Sequence, residues 1–151
     1  MIRSILLMLV IMAAAPGPAG AALGGDGASV SADRQALDGT LTRAQGDGYT
    51  VQEISAPAGL VVREYLTPAG RVFAVTWRGP LLPDLKQLLG AYFDQYQQAA
   101  REARARHGRQ GGLAVRRPDL VVQSSGHMRS FFGEAYLPGM VPPGVRVQAL
   151  R

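Results

Sequence analysis

Two copies of the turn sequence Pro-Ala-Gly, at residues 57–59 and 68–70, constrain this chain more than any other feature. Each sits between runs rich in β-branched and aromatic residues, at 49–55, 60–66 and 72–78. Proline sets φ for the turn, and glycine accepts the positive φ that follows. Connections this short force neighbouring strands to be antiparallel, so the three runs predict a meander. In the third run Phe73, Val75 and Trp77 alternate with Val72, Ala74 and Thr76. The larger set is expected to face a core, joined there by Leu60, Val62 and Leu66.

A helix is predicted next, over 83–106. Pro83 and Asp84 suit its first turn. Apolar residues follow at 85, 88, 89, 92, 93 and 96, then Ala99, Ala100 and Ala103. At 100° per residue they fall within an arc of about 140°. Gln87, Asp94, Gln98, Arg101 and Arg104 occupy the other side. The alanine half must approach its neighbour closely or leave the core. Gly108, Gly111 and Gly112 end the helix. Further strands are predicted at 113–115 and 119–124, the latter turning at Gly126 into a partner over 128–137. The proline-rich tail reads as irregular, with a last short strand at 145–149. The expected class is α+β: an antiparallel β-meander, one long amphipathic helix packed on one face, and a C-terminal β-hairpin.

The first 21 residues read as an address. Arg3 precedes an uncharged apolar run over 5–15, Pro16-Gly17-Pro18 breaks any helix, and Ala19-Gly20-Ala21 has the small-x-small pattern of a peptidase site. A membrane-spanning helix takes about 20 apolar residues, more than this run holds. The expectation is a signal peptide over 1–21, with cleavage at the next bond as the alternative, and a mature chain starting Ala22-Leu23-Gly24-Gly25, periplasmic or secreted, with no later membrane span. Fifteen Arg to one Lys points to a GC-rich bacterial genome. Residues 22–48 are expected to be flexible or irregular, and 49–151 to form a single α+β domain. Within 22–48, Ser31-Ala32-Asp33 suggests a cap for a short helix over 34–41, with an extended edge segment as the alternative.

Chemistry-bearing motifs are sparse. With no Cys there is no disulfide, thiol nucleophile or zinc-thiolate site. His107 reads as a helix-end residue. His127 is the candidate general base, with Ser125 (or Ser124 or Ser130) as nucleophile and Glu134 or Asp119 as orienter. No G-x-S-x-G elbow accompanies these serines, and tight-turn chemistry accounts for Ser124-Ser125-Gly126-His127 equally. Glu53 and Glu64 lie on neighbouring predicted strands and read as solvated. No metal-ligand spacing or phosphate loop occurs, so no metal or cofactor is expected.

Charge is unevenly spread. Residues 22–100 hold six basic and eight acidic side chains, and 101–151 hold nine and three. Arg101, Arg104, Arg106, Arg109, Arg116 and Arg117 form the candidate binding cluster, suited to an anionic envelope component. The sheet face that carries Arg63 and Tyr65 is a second candidate surface. No aromatic interleaving supports base stacking, so nucleic acid is not an expected partner. A ligand pocket lined by Trp77, Tyr65 and Phe93 between sheet and helix is a further alternative.

Several segments in combination resemble a known family. They are the A-L-G-G start at 22–25, G-Y-T-V-Q-E at 48–53, V-V-R-E-Y at 61–65, P-A-G-R-V-F-A-V-T-W-R-G-P at 68–80, P-D-L-K-Q-L-L-G-A-Y-F at 83–93 and D-L-V-V-Q-S-S-G-H-M-R at 119–129. Together they resemble an uncharacterised family of small exported proteobacterial proteins, a domain of unknown function. The resemblance implies an exported bacterial protein and brings no activity or site residue. The leading expectation is a non-enzymatic envelope protein that binds a partner, protein or anionic component, or assists assembly or secretion. The alternatives are a periplasmic hydrolase centred on His127 and a small-ligand carrier.

Overall fold

The computed structural model describes residues 22–107 and 112–150. The expected signal peptide, Arg109 and the glycines at 108 and 111 lie outside them. Helix α1, Gly27–Ala36, comes first. Asp26 caps it, its carboxylate accepting from the Ala28 N–H at 2.9 Å. Strand β1, Thr40–Gln45, follows, and its side chains are exposed throughout, as suits an edge strand. Residues 22–48 therefore correct the expectation of an irregular segment. The extended edge alternative occurs as β1, whereas the helix lies earlier than the expected 34–41 and is capped by Asp26 rather than Ser31–Asp33.

The meander is as expected. Strands β2 (Thr50–Ser55), β3 (Val61–Leu66) and β4 (Val72–Gly79) pair antiparallel in order. The first Pro-Ala-Gly turn places Ala58 at φ 63° and Gly59 at φ 82°, closed by Ala56 N–H to the Leu60 carbonyl at 2.8 Å. At the second, Gly70 takes φ 78°.

The predicted continuous helix is interrupted. Helix α2 is Leu85–Leu89, a 3₁₀ turn covers Gly90–Tyr92, and α3 is Phe93–His107. Gly90 sits at φ 47°, ψ −117°, a conformation open to glycine alone, and there the α-helix breaks. The chain then crosses to the far edge as β5 (Leu113–Arg116), and β6 (Val121–His127) and β7 (Ser130–Tyr136) step back until β7 pairs with β4. The sheet order is β1-β2-β3-β4-β7-β6-β5, antiparallel throughout. The β6–β7 turn is Met128-Arg129, at φ 40° and 65°, rather than Gly126, which lies within β6. Residues 147–149 form a 3₁₀ turn where a last strand was expected.

Alternation sorts the side chains. Ile54, Val62, Val75, Trp77, Ala135, Val122 and Val115 face the helices and pack with Val30, Leu88, Leu89, Ala99 and Ala100. The two alanines are buried, so α3 takes the close approach. A register shift between Tyr65 and Leu66 sends Phe73 to the opposite face, correcting the expectation that it joins Val75 and Trp77. There it meets Tyr49 and Tyr65, ring centroids 6.2 and 6.4 Å away, beneath Leu150 and Val145 of the tail. Gly133 lies opposite Trp77, and a Cβ there would fall 2.3 Å from the indole and 2.6 Å from the Gln123 carbonyl.

The helix-facing core also holds two carboxyl groups. Asp33 of α1 and Glu64 of β3 are both 0% exposed and face each other. Glu64 is therefore not the solvated strand residue expected from the sequence. Gln87 Nε2 of α2 donates to Asp33 Oδ1 at 2.8 Å, and the Ala22 main-chain nitrogen is directed at the same carboxylate. Asp33 Oδ2 and both Glu64 oxygens are buried without a well-aligned partner among the described residues. Loss of hydration pushes the Glu64 carboxyl up from 4.5 to about 9, with the neighbouring Asp33 charge adding to the shift. Burial raises Asp33 as well, against the hydrogen bond from Gln87.

Two predictions follow from this core. Between pH 4.5 and about 9 the folded chain keeps a proton on Glu64 that the unfolded chain has released. The contribution of Glu64 to stability is therefore full below pH 4.5 and is lost as pH rises towards about 9, by up to about 1.4 kcal/mol per pH unit. Urea titrations from pH 5 to 9, on a chain in which another residue precedes Ala22, should show that decline. Glu64→Gln should flatten it, and a flat wild-type profile would refute the shift. Gly133→Ala should cost about 1–3 kcal/mol by forcing the indole aside, read from the fluorescence of the single Trp during unfolding.

Candidate functional site

The helices cover one face of the sheet, and the tail covers only the Tyr65–Phe73 end of the other. The remainder of that second face is a groove of about 830 Å³. Its floor is a cross-strand row in register, Arg63, Thr76, Glu134 and Gln123, running from β3 to β6, and Glu53 continues the row on β2 beyond the groove. Neighbouring strands lie about 4.8 Å apart, so the row presents a polar group at each step. Arg63 Nε donates to Glu53 Oε2 at 2.6 Å, and Gln123 Nε2 to Glu134 Oε1 at 3.2 Å. The next row carries Val61, Arg78, Phe132 and Ser125. Arg78 and Phe132 are exposed partners across β4 and β7, Phe132 by 54%. Arg78 makes no ion pair among the described residues. Leu150 and Leu113 contribute to the walls.

The sequence candidates fall into distinct places. Ser125 and His127 share the groove face of β6 by alternation, and Glu134 stands on the same face of β7. His127 is exposed at the hairpin end, paired in register with Ser130, and makes no side-chain hydrogen bond to Ser125. Ser124 points to the opposite face, opposite Gly133. Asp119 accepts from Gln95 Nε2 of α3 at 2.7 Å, away from this row.

The arginine cluster lines α3 and the β5 end. Arg117 and Arg106 both reach Glu102, at 2.8 and 3.6 Å, and Arg101 donates to Gln97 at 2.8 Å. Arg104 and Arg116 are exposed. Trp77, Tyr65 and Phe93 do not line one pocket, because Tyr65 packs on the tail side and the other two on the helix side.

Sequence reasoning named Arg63 and Glu134 but missed Thr76, Arg78, Gln123 and Phe132 as one surface. Their polar alternation was visible within each strand. The pairing of β4 with β7, which joins the strands into one row, has no local signal.

Among the described residues no group of three or more His, Asp or Glu could hold a metal ion. No described helix is long and apolar enough to cross a membrane. No curated protein and no solved structure matches the chain. A family profile described as a protein of unknown function, DUF2844, matches residues 19–150. That match spans nearly the whole chain, which therefore belongs to the DUF2844 family.

Proposed function

We propose that this is an exported bacterial envelope protein that binds without converting what it binds, an accessory module whose partner is a polar, acidic envelope polymer. The observation that carries this reading is the uncovered half-sheet, a groove with a hydrogen-bonding row as its floor and Arg78 and Phe132 on its rim. Guanidinium, amide, hydroxyl and carboxylate groups at strand spacing suit a chain of hydroxyl and carboxylate substituents. An exposed aromatic ring beside them offers apolar contact to a sugar face. The N-terminal leader pattern supports export, and the family match begins at residue 19, beyond the apolar run. The arginine-rich half adds long-range attraction for an anionic partner.

Arg78→Glu and Phe132→Ala, both at exposed positions, should leave stability within about 0.5 kcal/mol. Each should weaken retention on an immobilised acidic polysaccharide at least tenfold. Arg104→Glu with Arg106→Glu should slow association and weaken its salt dependence while leaving retention within about threefold. Unchanged retention in both groove variants would refute the groove as the site, and loss only in the helix variants would move it to the arginine cluster.

A second reading rests on Ser125, His127 and Glu134 sharing the groove face. A hydrolase of this kind should turn over a substrate in an ester, peptide and glycan panel, with His127→Ala abolishing the activity. Turnover that survives His127→Ala would dismiss that role.

A further inference from the structure

Ala22 and Leu23 are among the most buried residues of the chain, at 0% and 2% exposure. Their backbone is held between α2 and β4. Leu23 N–H donates to the Leu88 carbonyl at 3.1 Å, Gly24 N–H to Val72 at 2.9 Å, and Val72 N–H to Gly25 at 2.9 Å. Arg71 clamps the Gly24 carbonyl. This anchoring directs the Ala22 nitrogen at the Asp33 carboxylate, beside Glu64.

Asp33 and Glu64 bond to each other, but three of their four oxygens have no other well-aligned partner among the described residues, and such a pair is costly in an apolar core. A buried cation with three N–H donors would offset that cost. Among the described residues no Arg or Lys side chain forms an ion pair with either acid. The sequence sets its small-x-small cleavage pattern, Ala19-Gly20-Ala21, directly before this nitrogen. We propose that cleavage of the Ala21–Ala22 bond creates an α-ammonium group that seats between Asp33 and Glu64 and locks the new N-terminus into the core.

The chemistry balances with water as the co-reactant. Water adds across the peptide bond, its hydroxyl going to the Ala21 carbonyl carbon and a hydrogen to the Ala22 nitrogen. The acid so formed ionises, and the amine takes up that proton. One N–H donor becomes three, and a neutral amide becomes a cation beside two acids. Because Ala22 is buried in the fold, cleavage precedes folding. The uncleaved chain then carries an uncompensated acid pair, and maturation completes the core. The inference rests on the export reading proposed above and is independent of what the groove binds.

N-terminal sequencing of the native protein, followed by amine acylation at pH 7, tests it. Lys86 is the single lysine and serves as an internal reference. The native chain should begin at Ala22, and its α-amine should label at least tenfold more slowly, relative to Lys86, when folded than in urea. Placing one glycine before Ala22 should lower the melting midpoint by about 10 °C. In the Asp33→Asn/Glu64→Gln background the same extension should cost less than about 3 °C. A native chain that begins at Ala22 but labels as fast folded as unfolded overturns the ion pair and leaves export standing. A native chain retaining Met1 overturns both. Equal cost of the extension in the two backgrounds reduces the site to steric fit and overturns the pairing. If the double variant does not fold, protection of the α-amine in the native chain still decides the matter.

Discussion

The antiparallel alternation of seven strands is the constraint on which the rest of this structure depends. Period two gives each strand one side chain for each face, and a shared register turns those choices into continuous rows. One set of rows is apolar and must be covered. Helices α1, α2 and α3 cover it, and the break at Gly90 separates the Leu-rich turn from the alanine-rich helix, both of which pack on that face. The opposite rows are apolar at one end, where Tyr65 and Phe73 draw down the tail, and polar at the other, where nothing has to cover them.

The bulge at Tyr65–Leu66 is what divides the second face. Without it Phe73 would stay in phase with Val75 and Trp77, and the tail would lose an aromatic platform. With it, three rings gather under Val145, Val147 and Leu150. The C-terminal segment packs there without adding a strand, so the groove keeps its length.

What could be read from the sequence was local. Strands β2, β3 and β4, their two Pro-Ala-Gly turns, and the β6–β7 hairpin follow from residue preferences within about ten positions of one another. Helix α1 escaped because Gly27 and two serines in its span weaken its propensity, and its cap at Asp26 is a single residue. Phe73 escaped because a bulge shifts phase without changing composition. Glu64 escaped for a different reason. In the run Val-Val-Arg-Glu-Tyr-Leu its parity already placed it on the same face as Val62, and only the habit of setting acids in water argued otherwise. On the groove, Arg63 was legible from strand parity, but its union with Gln123 and Glu134 depends on β7 reaching β4 across more than fifty residues.

A carboxyl pair in a core lowers stability unless something answers it, and an apolar pair of the same volume would serve packing better. Its retention at the meeting point of α1, β3, α2 and the Ala22 segment is therefore informative. Gln87 reaches Asp33 from α2, and the Ala22 nitrogen reaches it from the buried segment that precedes α1. An apolar contact at this point would accept many orientations of these four elements. A carboxylate accepts only those that bring N–H groups to its oxygens, so the pair selects one arrangement of helices on the sheet at the expense of stability. In the proposed reading an α-ammonium removes that expense on cleavage, and the same two residues then specify both how the helices dock and which nitrogen must end the chain.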